Sequence, residues 1–340
     1  MNDMAIAEWL KLSEETRRNI FNETAAQIGL PRASAVEKDW WVVRTLEVLF
    51  ITEIKDHVVF KGGTSLSKGW GVIDRLSEDI DLALDRRFFG IEKSDVEMTS
   101  SQVTKLREKS NRYIREKLVS DLQVVFNQQG LDVTLNILEF DNLVKDPVSI
   151  EVFYPTVTES DPYLPPRVLI EIGSRSLIEP FTPRPIHSFV GEVFPEQSFT
   201  DQPVIIPTVN PERTFLEKIF LLHELFQKEY VAERHSRKSR HYYDLQRLMH
   251  TEFASKAWSN SNLYKTIVSH RKYLNKEREI NYERHLPEFI SIIPSSEILR
   301  IWERDYNEMR ESMFYGESLS FADLIREIKT LNDAINQYRI

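Results

Sequence analysis

Two aspartates and a Gly-Gly turn lie close together in the first quarter of the chain. Asp79 and Asp81 occupy alternate positions at the start of an apolar segment, so in a strand both side chains point to the same face. Gly62 and Gly63 follow the apolar run 58–60 and let the backbone approach a ligand closely. Carboxylates suit magnesium, and free backbone amides suit phosphate. The pattern predicts a site for a divalent metal and a polyphosphate.

Neighbouring polar residues extend this candidate site. Thr64 and Ser65 follow Gly63 and are expected to cap a short helix, whose free N–H groups would hold phosphate oxygens. Arg75 and Ser77 precede the aspartates and are expected to assist. Magnesium, with manganese as an alternative, would act on the α-phosphate of a nucleoside triphosphate. We therefore expect metal-dependent nucleotidyl transfer, in which an acceptor hydroxyl attacks and pyrophosphate leaves.

Each part of the pattern also has an ordinary structural explanation. Asp-x-Asp is common at strand ends and Gly-Gly is a turn, whereas their joint order along the chain is more specific. A metal-dependent nuclease would use the same carboxylates but would not need a phosphate cradle. A non-catalytic nucleotide-binding module also stays open, although intact aspartates count against it. A P-loop kinase is excluded because Lys68 stands between Ser67 and Gly69, which breaks the Gly-Lys-Ser/Thr order.

The segment FKGGTSLSKGW, followed by RLSEDIDLAL, resembles the signature of the AbiEii/AbiGii-type toxin nucleotidyltransferases. The resemblance implies a polymerase-β-like nucleotidyltransferase fold and a toxin of a bacterial toxin–antitoxin or abortive-infection system; the MenT toxins are relatives. It also implies an NTP substrate, an RNA acceptor such as the tRNA 3′ end, and a cognate antitoxin. The insert 67–78 is longer than in the general superfamily and is typical of this branch.

Three other segments carry the resemblance, namely Glu37-Lys38-Asp39-Trp40-Trp41, residues 213–218 and residues 240–245. The resemblance implies that Lys218 stabilises negative charge on the triphosphate. It implies that Asp244 is a second functional aspartate, near the acceptor hydroxyl or in contact with Lys218. The alternatives are a surface lysine on an apolar helix, and an aspartate paired with Arg240 or Arg247.

Glu171 could supply a third carboxylate to the metal. It lies inside the apolar strand predicted at 167–172, and in this fold a strand beside the aspartates usually carries such a group. Metal coordination would offset the cost of burying the charge. Alternatively, Glu171 faces solvent on an edge strand or pairs with Arg167 or Arg175. Both interpretations stay open at this point.

Helical spacing predicts a long helix before the first strand. Ser34-Ala35-Val36-Glu37 has the order of a capping box and predicts a helix from residue 34 to about residue 54. Trp40 and Trp41 are expected to be core aromatics. Lys38 and Asp39 are expected on another face, which could border the cleft.

Length and composition limit the domain number, the cysteine chemistry and the location of the protein. The 340 residues suggest two domains. The nucleotidyltransferase fold that the resemblance implies predicts an α+β class. We expect a catalytic domain over 1–207, with a mixed sheet flanked by helices, and a mainly helical domain over 208–340 that completes the cleft and binds the acceptor. The absence of cysteine excludes disulfides and cysteine-ligated zinc. No apolar run approaches the roughly 20 residues of a membrane span, and no secretory signal is apparent, so we expect a cytoplasmic protein.

Charge is uneven along this acidic chain. The formal net charge of −9 opposes general nucleic-acid binding, but local patches decide such contacts. Two basic runs, 228–240 and 265–284, lie on either side of the segment around Asp244. We predict that they contact the RNA acceptor, and the alternative is that they are solvated helix faces.

Overall fold

The computed structural model describes residues 2–138, 146–159, 161, 163–274 and 276–339. The chain divides into two compact units. The sheet unit consists of Met1–Gly71, Arg75–Lys93 and Thr99–Val209, and the helical unit consists of Val72–Asp74, Ser94–Met98 and Asn210–Ile340. The functional domain boundary expected between residues 207 and 208 stays a prediction, because packing alone does not define function.

One mixed sheet forms the framework of the sheet unit. Its strands are β1 (Val58–Lys61), β2 (Asp79–Leu84), β3 (Thr134–Ile137), β4 (Val148–Phe153), β5 (Arg167–Gly173), β6 (Phe181–Ile186) and β7 (Val204–Val209). Their order across the sheet is β3-β4-β5-β2-β1-β7-β6. β2 runs antiparallel to β1 and parallel to β5. The strand that carries both aspartates therefore lies in the middle of the sheet, next to the strand of Glu171.

Seven helices accompany this sheet in the described part of the unit. They are α1 (Asn2–Lys11), α2 (Glu14–Ile28), α3 (Ala33–Leu49), α4 (Gly62–Thr64), α5 (Ser100–Tyr113), α6 (Val119–Gln128) and α7 (Phe189–Val193). A π-helical turn, Ile114–Leu118, joins α5 to α6, and another, Ser65–Gly69, follows α4. Residues 35–49 of α3 are all buried, as expected for a helix enclosed by other elements. Trp40 and Trp41 are confirmed as core residues.

The capping box predicted at the start of α3 is wrong. The helix begins at Ala33, and its N-cap residue Arg32 makes no side-chain capping bond. Glu37 instead accepts hydrogen bonds from the backbone N–H groups of Val157 and Thr158, at 2.8 and 3.2 Å. The Glu37 carboxylate thus binds a loop 120 residues later in the sequence and does not cap the N-terminus of its own helix.

The described residues of the helical unit form seven further helices. They are α8 (Pro211–Leu225), α9 (Ala232–His235), α10 (Arg240–Met249), α11 (Glu252–Ser259), α12 (Ser261–Tyr273), α13 (Ser296–Met313) and α14 (Phe321–Gln337). Trp302 is fully buried and packs against the ring of Tyr242, with centroids 4.7 Å apart. The α+β class is thus confirmed, with a mixed sheet flanked by helices followed by a mainly helical C-terminal part.

Candidate active site

The glycine turn after β1 packs directly against the strand of the aspartates. Gly62 has a φ of +81°, a conformation that glycine adopts without strain. A Cβ atom at Gly62 would lie 2.0 Å from Oδ2 of Asp81. A Cβ atom at Gly63 would lie 2.8 Å from a guanidinium nitrogen of Arg75 and 2.9 Å from Oγ of Ser77. The positive φ favours glycine at Gly62, and a Cβ at Gly63 would require the Arg75 and Ser77 side chains to shift. The structure therefore brings these five predicted residues together.

The hydroxyl residues of the turn hold the turn against β2. Thr64 is buried, and its Oγ1 lies 2.5 Å from the backbone carbonyl oxygen of Asp79 and 2.8 Å from Oγ of Ser77. Ser65 is also buried and donates to the carbonyl oxygen of Gly62 at 2.9 Å. The expected helix cap is wrong, because both residues lie within the helical turns and donate to backbone carbonyls. Their nucleotide-binding roles stay predictions.

The carboxylates share one face of the central strands. Asp81 is the register partner of Glu171 on β5, and Asp79 lies two residues earlier on β2. Register partners and alternate residues point to the same side of a sheet. All three residues are partly exposed, whereas Ile80 and Ile170 are fully buried on the opposite face. The sheet therefore presents these acidic groups together above an apolar core.

The position of Glu171 excludes an edge strand, and the partners of Arg167 and Arg175 weaken the case for an ion pair with either arginine. β5 lies between β4 and β2, so Glu171 is not on an edge strand. Arg167 pairs with Glu151 at 2.9 Å, and Arg175 pairs with Asp146 at 3.0 Å. Each arginine thus has a carboxylate partner other than Glu171.

The carboxylates of Asp79, Asp81 and Glu171 fit a metal ion whose other ligands come from substrate phosphates. Among the described residues, no group of three or more His, Cys, Asp or Glu side chains is arranged to hold a metal ion. Magnesium, however, is usually bound by one or two carboxylates together with substrate phosphates, and it keeps several waters. Asp81 and Glu171, adjacent in register, offer such a pair. The predicted ligand set of Asp79, Asp81 and Glu171 stays a prediction.

Lys61 is a candidate that sequence reasoning missed. It is the last residue of β1 and the register partner of Asp81, so it lies on the face of the carboxylates. Its side chain is partly exposed, unlike the buried residues 58–60 before it. A signal was present in the sequence, because a lysine that directly follows an apolar strand and precedes Gly62 stands where a phosphate group is expected.

Two buried ion pairs fix the connection between β1 and β2. Lys38 of α3 pairs with Glu78, and Lys68 pairs with Asp39 of α3 at 2.8 Å. Asp39 also accepts the backbone N–H of Phe189 at 2.7 Å. Burial raises the pKa of Asp39, and the Lys68 ammonium opposes that rise. Lys38 and Asp39 are both buried and hold Glu78 and Lys68, and a position beside the cleft stays a prediction.

The helical unit contains another buried ion pair. Lys218 on α8 lies 2.8 Å from Asp244 on α10, and both side chains are buried. The surface alternative for Lys218 is therefore wrong, and the contact implied by the resemblance is present. Arg247 pairs with Asp74 at 2.7 Å. The catalytic roles of Lys218 and Asp244 stay predictions.

A family model supplies the decisive comparison. The model described as "Nucleotidyl transferase AbiEii toxin, Type IV TA system" matches residues 44–328. This chain belongs to the AbiEii family. It is accordingly a nucleotidyltransferase of the toxin type, in a family whose members use an NTP and are accompanied by an antitoxin. The match includes every predicted site residue, whereas the segment 37–41 lies before its first residue.

Two solved structures resemble this AbiEii chain distantly. MenT4, a nucleotidyltransferase toxin from Mycobacterium tuberculosis H37Rv, is 13% identical with a TM-score of 0.42, and the alignment covers 97% of this chain and 100% of that chain. JHP933 from Helicobacter pylori is 15% identical with a TM-score of 0.33, covering 86% and 95%. Curated protein sequences gave no match. The family assignment therefore rests on the family model.

Many cations of the predicted basic runs have acidic partners. Arg271 is paired with Glu224, and Lys228 and Arg234 are paired with Glu277 and Glu279. The exposed cations without an ion pair in the described part of these runs are Lys265, Lys276, Arg278 and Arg284. The runs are therefore less basic than a count of residues predicted. Nor does any described helix have the length and apolarity to cross a membrane.

We expect that Gly62→Ala lowers transfer by about 100-fold, the scale for a misplaced catalytic group. The new Cβ would overlap Oδ2 of Asp81, so the carboxylate must move. Gly90→Ala is the matched control, since Gly90 also has a positive φ (+74°) but open space around its Cβ position. Both variants should lose roughly 1–2 kcal/mol from backbone strain, but only Gly62→Ala should lose activity. Equal activity in the two variants would refute the packing argument. Thermal melting and initial rates give both quantities.

Proposed function

We propose that this AbiEii-family toxin transfers a nucleotide from an NTP to a hydroxyl of RNA, with the tRNA 3′ end as acceptor, in a magnesium-dependent reaction. The observation that carries the proposal is the placement of Asp81, which adjoins Glu171 across two central strands and packs against Gly62. Carboxylates and a glycine turn in contact can bind metal and triphosphate together. We propose Asp79, Asp81 and Glu171 as the metal ligands.

In the proposed reaction the acceptor hydroxyl oxygen bonds to the α-phosphorus, and its proton passes to solvent water. The bond from the α-phosphorus to the bridging oxygen breaks, and pyrophosphate leaves. Gly62, Gly63, Thr64 and Ser65 shape the turn that receives the phosphates, and Arg75 and Ser77 lie against that turn. When bound, magnesium would polarise the phosphoryl oxygens and neutralise developing charge. Positioning and electrostatics therefore supply most of the catalysis.

Lys218 and Asp244 are proposed as further catalytic residues. The Lys218 ammonium would stabilise negative charge in transfer, and Asp244 would orient that ammonium through their 2.8 Å contact. Such a preorganised charge does not need to reorganise during the reaction. The family assignment supports these roles, and the contact of the two side chains supports the orienting role of Asp244.

The decisive experiment follows two labels. Purified protein is incubated with magnesium, total RNA and each NTP labelled at the α- or the γ-phosphate. Nucleotidyl transfer moves the α-label into RNA and leaves the γ-label in pyrophosphate. Shortened RNA without incorporation would indicate a nuclease, and NTP binding without either change would indicate a binding module. A parallel reaction with EDTA tests metal dependence, and purified tRNA with a blocked 3′ hydroxyl tests the acceptor atom.

We expect that reversing Lys265, Lys276, Arg278 and Arg284 to Glu weakens RNA binding and flattens its salt dependence. Phosphate contacts release counterions, so up to four lost contacts should reduce the slope of log affinity against log salt by about 0.7 per contact. Filter binding across a salt series measures this slope. The control reverses Lys55, Lys93, Lys105 and Arg112, exposed cations of the sheet unit, and changes the net charge equally. Equal slopes in the two variants would move the RNA contacts elsewhere.

A further inference from the structure

A groove opens between α12 and the 3₁₀ turn Tyr282–His285 of the helical unit. Its cavity has a volume of about 380 Å³, within the range of small-ligand pockets, which is about 300–1,000 Å³. The lining residues of α12 are at positions 264, 265, 268, 269, 272 and 273. Helical residues three and four apart share a face, so one face of α12 borders the groove. Every lining residue belongs to the helical unit.

A series of nearly parallel aromatic rings reaches this groove. The ring of Tyr282 is inclined by 22° to that of His285, with centroids 5.0 Å apart. His285 in turn is inclined by 21° to Phe220, with centroids 5.3 Å apart. His285 and Phe220 are buried, whereas Tyr282 is partly exposed. The ring of Tyr282 is thus the accessible member of the series.

Hydrogen bonds hold these rings in place. The Tyr282 hydroxyl accepts the backbone N–H of Glu277 at 3.0 Å. Nε2 of His285 lies 2.8 Å from Oε1 of Glu224, and the Tyr264 hydroxyl donates to the carbonyl oxygen of His285, also at 2.8 Å. A ring that is ordered before binding loses little entropy when a ligand stacks on it. The wall of the groove is therefore a preformed stacking surface.

A second tyrosine and two lysines line the same groove. Tyr273, the last residue of α12, is 46% exposed. Lys265 is exposed and forms no ion pair within the described part of the chain. Lys272 pairs with Glu283 at 2.9 Å, but the Glu283 side chain is 81% exposed. Such surface pairs are weak, so a phosphate can replace Glu283 as the partner of Lys272.

We propose that this groove binds an unpaired base of the RNA acceptor, which stacks on the rings of Tyr273 and Tyr282 while Lys265 and Lys272 bind neighbouring phosphates. The inference rests on the proposed function and assigns a binding site for its acceptor. Aromatic rings combined with cations are typical of sites for single-stranded RNA. An apolar segment of a protein partner fits less well, because it would cover the ammonium groups without supplying anions.

Variants of the two tyrosines separate stacking from charge. Tyr273→Leu and Tyr282→Leu remove the rings but keep apolar side chains, and Tyr273→Phe and Tyr282→Phe keep the rings. Phe181→Leu is the matched control, because Phe181 is an exposed aromatic residue of the sheet unit. Each full-length variant is tested by thermal melting and by filter binding across a salt series. The probes are tRNA, which has an unpaired 3′ end, and a blunt-ended RNA duplex.

We expect Tyr273→Leu to weaken tRNA binding by about 5- to 100-fold, the scale of one stacked base. The factor should be the same at every salt concentration, because stacking releases no counterions. Affinity for the duplex should not change, since its bases are paired. Tyr282→Leu should show the same pattern after correction for folded protein. Both Phe variants and Phe181→Leu should bind as the wild type does.

Three results would overturn the proposal. Wild-type tRNA affinity in both Leu variants would exclude stacking in the groove. An equal loss for tRNA and duplex would show that paired RNA uses the same contacts. Loss of self-association or of a protein partner, at wild-type tRNA affinity, would assign the groove to that partner instead.

Binding and transfer are measured separately, which keeps this inference distinct from the proposed function. If the wild type binds tRNA but transfers nothing, the proposed function fails, and the affinities of the Leu variants still decide the role of the groove. If the wild type transfers, the Leu variants should raise KM for tRNA and leave kcat and KM for NTP unchanged. A wild-type KM for tRNA in both Leu variants would reject the inference alone. Absence of tRNA binding by the wild type would also reject it.

Discussion

Asp81→Asn should abolish nucleotide transfer in a chain that remains folded. Asparagine keeps the shape of the side chain packed against Gly62, but it removes the anionic oxygens that a hard cation requires. Metal stabilisation of transition-state charge contributes several kcal/mol, so the rate should fall by about 10³-fold or more. Initial rates of α-label incorporation measure the loss, and thermal melting shows that the fold persists.

Asp79→Asn should also abolish transfer in a folded chain. The fold should persist because the substitution keeps the backbone carbonyl of Asp79, which accepts a hydrogen bond from the Thr64 hydroxyl. Asp121→Asn is the matched control. Asp121 is a half-buried helix residue paired with Lys117, outside the glycine turn and the central strands. It should keep the wild-type rate. Transfer at the wild-type rate in Asp81→Asn would remove the metal role from that residue.

Lys218→Met should reduce both transfer and stability. Methionine matches the apolar stem of lysine but leaves the carboxylate of Asp244, which is completely buried, without its ammonium partner. Breaking a buried ion pair in this way typically costs about 3–5 kcal/mol. Loss of a preorganised charge at the transition state should lower the rate of the folded fraction by about 100- to 1,000-fold. Denaturant unfolding and rates corrected for folded protein provide the two measurements.

The double variant Lys218→Met/Asp244→Asn distinguishes structure from catalysis. The double variant no longer buries the charge of Asp244 without the Lys218 ammonium. It should therefore be more stable than Lys218→Met alone. It should nevertheless remain as inactive as the single variant. Recovery of transfer together with stability would show that the pair is purely structural.

Local rules made the glycine turn and the aspartate strand predictable. Asp79 and Asp81 alternate along one strand, and Gly62 meets Asp81 through a steric requirement that involves only neighbouring strands. These relations are encoded within about twenty residues, where periodicity and turn chemistry are informative. The register that brings Glu171 beside Asp81 depends on sheet order, which the local pattern left open.

Long-range partners were beyond sequence reasoning. Glu37 was expected to close a capping box, but it binds the backbone of Val157. Lys38 bonds to the carbonyl oxygen of Pro165, at a separation of 127 residues. Arg271 was counted as part of a basic surface, yet it pairs with Glu224. A sequence shows how many charges a segment carries, but only the folded chain shows which of them are neutralised.

The segments Val72–Asp74 and Ser94–Met98 belong to the helical unit although they lie within the first third of the chain. Asp74 contacts Tyr243 and Arg247, and Asp95 contacts His270. A chain cut after Val209 would therefore lose the partners of two segments that it still contains. Gene fusion or shuffling at that junction would not transfer an intact module. Because of this interleaving, the two parts of this toxin are expected to evolve, and to be inherited, as one piece.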